Sequence, residues 1–142
     1  MTIEAATEVT AELEQALASL LPQLNAALVG PTESELKAIL ADPSTTLLVA
    51  RDGGGIIATA TVIVYKTPAW MKARIEDVVV DEGARGRGVG EALVTECVNV
   101  ARKRGARVVE LQSGRRRQAA NRLYPRMGFE HRESQVYRLI LS

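Results

Sequence analysis

Apolar residues recur at Val9, Leu13, Ala16, Leu17 and Leu20. This spacing predicts an amphipathic helix over "EVTAELEQALASLLPQL", which Pro22 should bend or end. "PTESELKAILADP" predicts a second helix, with Thr32 and Glu35 spaced as a capping box and Pro43 closing it. "TTLLVAR" and "GIIATATVIVY" are β-branched runs separated by Asp52-Gly53-Gly54-Gly55, a hairpin pattern. "ARIEDVVVD" follows as another strand after the loop "KTPAWMK". That loop reads equally as a pocket wall or a plain connection.

Val89, Leu93, Cys97, Val100 and Ala101 mark one face of a further helix. It should end at Arg102-Lys103-Arg104-Gly105, where cations meet the negative helix terminus and glycine caps it. "ARVVELQS" predicts a strand and "RQAANRLY" a short helix, while "GFEHRE" and "QVYRLIL" predict a closing pair of strands. With "TIEAAT" as a short first strand, the order is strand, two helices, three strands, helix, strand, helix, two strands. The expectation is an α/β fold, a mixed, mostly antiparallel central sheet flanked by helices. No repeat or linker divides the chain, so residues 1–142 are expected to form a single domain.

Composition narrows the function without choosing it. Apolar residues are 46% and charged residues 25% of the chain, an ordinary globular mix. No apolar run is long enough to span a bilayer, and "MTIEAATEVT" lacks the basic start and apolar core of a signal peptide. One cysteine, Cys97, excludes an internal disulfide, and cytoplasmic localisation is expected. With a single histidine, His131, neither a zinc cluster nor a Cys-His nucleophile pair is expected, so no metal is assigned. A net charge of +1 argues against a nucleic-acid partner. The charges are nonetheless segregated. Lys37 is the one base in the acid-rich residues 1–45, whereas residues 101–142 are rich in arginine. That asymmetry suits a small polyanionic ligand or is simply a solvated surface.

The candidate chemistry centres on "RGRGVG", residues 85–90, between the apolar "VVV" at 78–80 and a helix. A strand, a glycine loop and a helix N-terminus present unpaired amides to an anion, and Arg85 and Arg87 add charged donors. A Walker A loop is excluded because no Gly-Lys-Ser/Thr is present. The dinucleotide fingerprint fails because Glu91 or Leu93 stands where its last glycine belongs.

Arg85, Gly88 and Gly90 do match R-x-x-G-x-G, and "NRLYPRMGF", residues 121–129, supplies a Leu-Tyr pair followed by Gly-Phe. In this combination the chain resembles the GNAT superfamily of acetyl-CoA-dependent N-acetyltransferases, clearly over residues 73–142 and in element order before that. "IEDVVVD" with its loop is more loosely similar to glucosamine-6-phosphate N-acetyltransferase. The resemblance implies a GNAT-like acyl-CoA N-acyltransferase fold, acetyl-CoA as cosubstrate and an amine as acceptor. It implies that main-chain groups of Val78, Val79 and Val80 hold the pantetheine arm and acetyl group. The amides of Arg85, Gly86, Arg87, Gly88, Val89 and Gly90 would hold the pyrophosphate, and a homodimer is allowed.

Tyr124 matches the family's tyrosine general acid for the departing thiolate, and it also fits a core tyrosine packed on Phe129. Pro125 directly after it should disturb its helical geometry. Only about one alkyl amine in a few thousand is neutral at pH 7, so a proton acceptor is needed. Glu76 is the candidate: alternation along the strand would put it on the face of Val78 and Val80, with Asp77 on the other. A surface or salt-bridged glutamate is the plain reading. Arg117 stands where many relatives carry an asparagine, so that role is not transferred, and Arg115–Arg117 reads as an exposed turn or an anion contact. The rival from another class is a non-catalytic acyl-CoA-binding regulatory module.

Overall fold

Two threonines start the first helices. Thr10 Oγ1 accepts from the Leu13 N–H at 3.1 Å, opening α1 (Ala11–Leu24). Thr32 accepts from the Glu35 N–H at 3.1 Å while the Glu35 side chain accepts from the Thr32 N–H at 2.9 Å. This reciprocal box opens α2 (Glu33–Ala41) and satisfies donors that a helix start leaves unpaired. Pro22 lies inside α1, in its last turn, and the helix runs on to Leu24.

The computed structural model describes all residues, 1–142. They form two compact units, Met1–Gln112 and Ser113–Ser142. The first holds a five-stranded sheet in chain order: β1 (Thr2–Ala5), β2 (Thr45–Asp52), β3 (Gly55–Lys66), β4 (Met71–Val80) and β5 (Val108–Leu111). Pairings β1–β2, β2–β3 and β3–β4 are antiparallel, and β4–β5 is parallel, its crossover made by α3 (Val89–Lys103). The expected mixed, mostly antiparallel sheet flanked by helices is what the chain forms. No helix is long and apolar enough to cross a membrane.

Cross-strand partners share a face, so the register sorts the core. Leu47 and Val49 of β2 pack with Leu13 and Leu17 of α1 and Leu36 of α2. Their neighbours Leu48 and Ala50 pair with Ala60 and Ala58 on the opposite face, beneath α3. Leu93, Cys97 and Ala101 of the expected stripe are buried on α3, together with Val94, which the stripe left out, while Val100 is only partly buried. Alanines on the sheet let this helix lie close. Burial pushes the Cys97 thiol up to about 12.

The second unit holds α4 (Gln118–Arg126). It runs through Pro125 to Arg126. Gly128, at φ 96°, then lets the Phe129 N–H reach back to the Tyr124 carbonyl at 3.0 Å. The two closing strands are not formed. Residues 129–142 join no ladder, and Val136 and Tyr137 are 70% and 90% exposed. The alternating pattern of "QVYRLIL" is real, but strand propensity is realised only where a neighbouring strand supplies hydrogen bonds.

Leu36 is fully buried, so Leu36→Ala should cost about 2–4 kcal/mol in urea unfolding. Cys97 should resist alkylation in the native protein and react on unfolding. Its folded pKa lies above the ordinary thiol value, so its stabilising contribution should be present below about pH 9 and lost toward about pH 12. Chemical unfolding followed across that range checks the sign, with Cys97→Ala as the control.

Candidate functional site

The pairing of β4 changes partway along. Lys72–Ile75 pair with β5 on one side, and pairing with β5 stops at Ile75↔Leu111. Pairing with β3 continues to Val80↔Ala58. From Glu76 to Val80, β4 therefore has a strand on one side only. At the same place the β3 register shifts: Thr61 faces Glu76, but Thr59 faces Val79. One extra residue has entered β4, a bulge. Asp77 sits in it at φ 53°, in the left-handed region that aspartate tolerates better than most side chains.

The bulge corrects the facing deduced from simple alternation. Glu76 and Val79 lie on the face of Thr61 and Thr59, toward α1. Val80 lies with Ala58 on the α3 face, where its Cγ2 is 3.7 Å from the Cβ position of Gly90. Glu76 is thus not on the face of Val80. Its carboxylate is bound instead to Arg74 Nε at 2.5 Å, two residues back on the same face. Asp77 is exposed as a residue, yet surrounding protein atoms and, secondarily, the charge of Glu76 raise its carboxyl above the ordinary aspartate value.

Beyond β4, Asp81 caps a single 3₁₀ turn, Glu82–Ala84, through its Oδ2 and the Gly83 N–H at 3.1 Å. The glycine loop follows. Gly86 and Gly88 both have φ 79°, which a side chain would strain. Gly88 is also the N-cap of α3, and no side chain caps that helix start. The first amides of α3 therefore stay available to an anion, beside the positive end of the helix dipole. Val89 is buried and begins the core stripe.

The two arginines are exposed and tied differently. Arg85 Nε donates to the Val80 carbonyl at 3.1 Å, so one of the main-chain groups expected to face a ligand already has a partner. Arg87 reaches Asp52 of the β2–β3 turn at 3.7 Å. Asp52, Asp81 and Arg74 were not singled out by sequence reading. Two of them carried a local signal, Asp52 as the start of the Asp-Gly hairpin and Asp81 as an Asp-x-Gly at a strand end.

Other expectations fall elsewhere. Trp70 lies in the β3–β4 turn, at the opposite end of β4 from the glycine loop, with Arg107 stacked 5.4 Å from its ring. It is a connection rather than a wall of this site. Tyr124 belongs to the second unit, where its ring meets Phe129 edge-on at 5.8 Å between centroids. Arg115–Arg117 form an exposed turn before α4, and His131 is exposed.

A one-sided strand, its bulge and an uncapped helix behind a glycine loop agree with an independent comparison. The acetyltransferase (GNAT) family model matches residues 12–129. The chain belongs to this family. An uncharacterized N-acetyltransferase of Methanocaldococcus jannaschii is 44% identical over 61 residues, which is 43% of this chain and 27% of that protein. The match therefore spans well under half the length of that relative. A transcriptional regulator from Bacillus halodurans has a TM-score of 0.82 at 28% identity, covering 98% of this chain and 99% of that one. Glucosamine-6-phosphate N-acetyltransferase from Arabidopsis thaliana shares the GNAT fold at a TM-score of 0.79 and 22% identity, covering 98% and 99%.

The raised Asp77 carboxyl makes a pH prediction. An acid whose folded pKa is raised supports folding at low pH and loses that support as pH rises through the folded value. Asp77→Asn, which keeps left-handed tolerance, should therefore raise stability at neutral pH relative to pH 3. Carboxyl NMR of Glu76→Gln should show the Asp77 midpoint falling.

Proposed function

We propose that this chain is an acetyl-CoA-dependent N-acetyltransferase that moves an acetyl group to an amine, of a small molecule or a protein, by direct attack in a ternary complex. The observation that carries the proposal is the open edge of β4 at Glu76–Val80 leading into an uncapped helix start. An extended pantetheine arm can add to that edge as a strand would, and a pyrophosphate fits the amides of residues 85–90. Family membership supplies the acyl-CoA side of the argument, and its model spans both compact units.

Acetyl-CoA would supply an activated thioester. The residues' part is to place it and manage two protons. Main-chain groups of Val78 and Val79 on the free edge orient the acetyl group, while the Val80 carbonyl is shared with Arg85. The amine nitrogen attacks the acetyl carbon as the Glu76 carboxylate, oriented by Arg74, takes the amine proton directly or through water. The C–S bond breaks, and the leaving sulfur takes a proton, the role that the family resemblance assigns to the Tyr124 hydroxyl.

One observation favours a second reading, a non-catalytic acyl-CoA-binding regulatory module: a transcriptional regulator has the same fold at 28% identity. Screening an amine panel for free-thiol release from acetyl-CoA separates the two. The enzyme reading expects turnover with at least one amine. CoA binding without turnover across the panel favours the module.

With an active amine in hand, Glu76→Gln should lower kcat/KM about 10²-fold with CoA affinity unchanged, and Tyr124→Phe should lower kcat about tenfold or more. Full turnover in both variants would remove these roles. Asp77→Asn, retaining activity, would separate the two adjacent carboxylates.

A further inference from the structure

The turn that delivers β4 into the glycine loop has a support from outside its own segment. Gln23, in the last turn of α1, donates from Nε2 to Asp81 Oδ1 at 2.9 Å. Its Oε1 accepts the Glu82 backbone N–H, also at 2.9 Å. Only one orientation of the amide satisfies both partners, since the carboxylate needs a donor and the N–H an acceptor. Asp81 is simultaneously held by its own N–H to the Ile57 carbonyl at 2.8 Å and through Oδ2 to the Gly83 N–H. The Gln23 contact is also the largest of the influences that hold the Asp81 carboxyl below its usual value.

Apolar packing does little for this stretch. Ala84 is its one buried residue between Asp81 and Gly88, and Glu82 and Gly83 are exposed. The loop's pose therefore depends on polar ties: Arg85 to Val80, Arg87 to Asp52 and Gly83, Asp81 to Gly83 and Ile57, and Gln23 to Asp81 and Glu82. Both arginines have been assigned to the ligand, so their ties compete with phosphate. Gln23 is the side-chain tie from another element that is free of that competition.

We infer that Gln23 is a positioning residue for the CoA pyrophosphate, an amide strut from α1 that fixes the Asp81–Ala84 turn and so aims the amides of residues 85–90. This rests on the assignment of the loop to CoA in the proposed function. It also makes α1, which packs on the face of the sheet opposite α3, a participant in donor binding. A phosphate gains from amides that already point inward, because ordering them on binding would cost affinity.

Calorimetry of CoA binding and steady-state kinetics on four variants of the full chain test this. Gln23→Met keeps length and removes both hydrogen bonds. It should raise the CoA Kd, and the KM for acetyl-CoA, about five- to tenfold, with kcat at saturating donor within about twofold. Gln23→Glu should weaken binding further, because it sets a second carboxylate against Asp81. Combining Gln23→Glu with Asp81→Asn restores a donor–acceptor pair with the roles exchanged, and affinity should return to within about twofold of the parent. A purely structural role would lower the melting temperature of Gln23→Met while leaving CoA affinity of the folded protein unchanged, and that result overturns the inference. So does failure of the paired substitution to rescue. Gly88→Val provides the separate control on the loop. Lost affinity in Gly88→Val with none in Gln23→Met leaves the loop assignment standing and removes the strut, whereas unchanged affinity in both removes the two together.

Discussion

The arrangement depends on a strand that is paired on both sides for half its length and on one side for the rest. Up to Ile75, β4 is an interior strand; after it, β5 no longer accompanies it. Unpaired main-chain groups at a sheet edge seek hydrogen bonds, which usually makes an edge a hazard for association. Here the open stretch is short, bulged at Asp77, and runs straight into a glycine loop. The bulge stores a non-glycine residue in a left-handed conformation. Such strain persists where neighbouring structure enforces it, here the β3 pairing that resumes on both sides of the bulge.

Several features then follow from that split. Parallel pairing of β4 with β5 requires a crossover, and α3 provides it, so the helix must begin near the end of β4. Its uncapped N-terminus therefore falls beside the open edge rather than elsewhere. The loop between them has to turn sharply, and Gly86 and Gly88 take the positive φ that permits it. Polar groups reach this corner from three directions: the Asp52 carboxylate from the end of β2, the Asp81 carboxylate at the end of β4, and the Gln23 amide from α1. Asp52 holds Arg87, and Asp81 holds the backbone at Gly83.

The legibility of the fold varied with the range of the interactions. Helix stripes at Leu13, Leu17, Leu93 and Cys97, the capping box at Thr32 and the glycine hairpin at 53–55 depend on neighbours a few positions away. All are present as read. The face of Glu76 was misread because alternation assumes one residue per step, and a bulge inserts a step that only the opposite strand reveals. "QVYRLIL" was misread in the converse way. Its pattern describes what the segment can do beside a partner strand, and its residues join no ladder.

By itself the sequence determined where the glycine loop lies, the order of the helices and strands through β5, and that neither a Walker A nor a dinucleotide glycine pattern is present. These rest on residue identity and short spacing, which a chain carries wherever it folds. Tertiary structure alone decided where β4 parts from β5, which way Glu76 faces, and that Gln23, far off in sequence, would hold Asp81. Those facts come from pairing between distant segments. Hydrogen-bond register and side-chain reach set such pairing, and neither is written in local pattern.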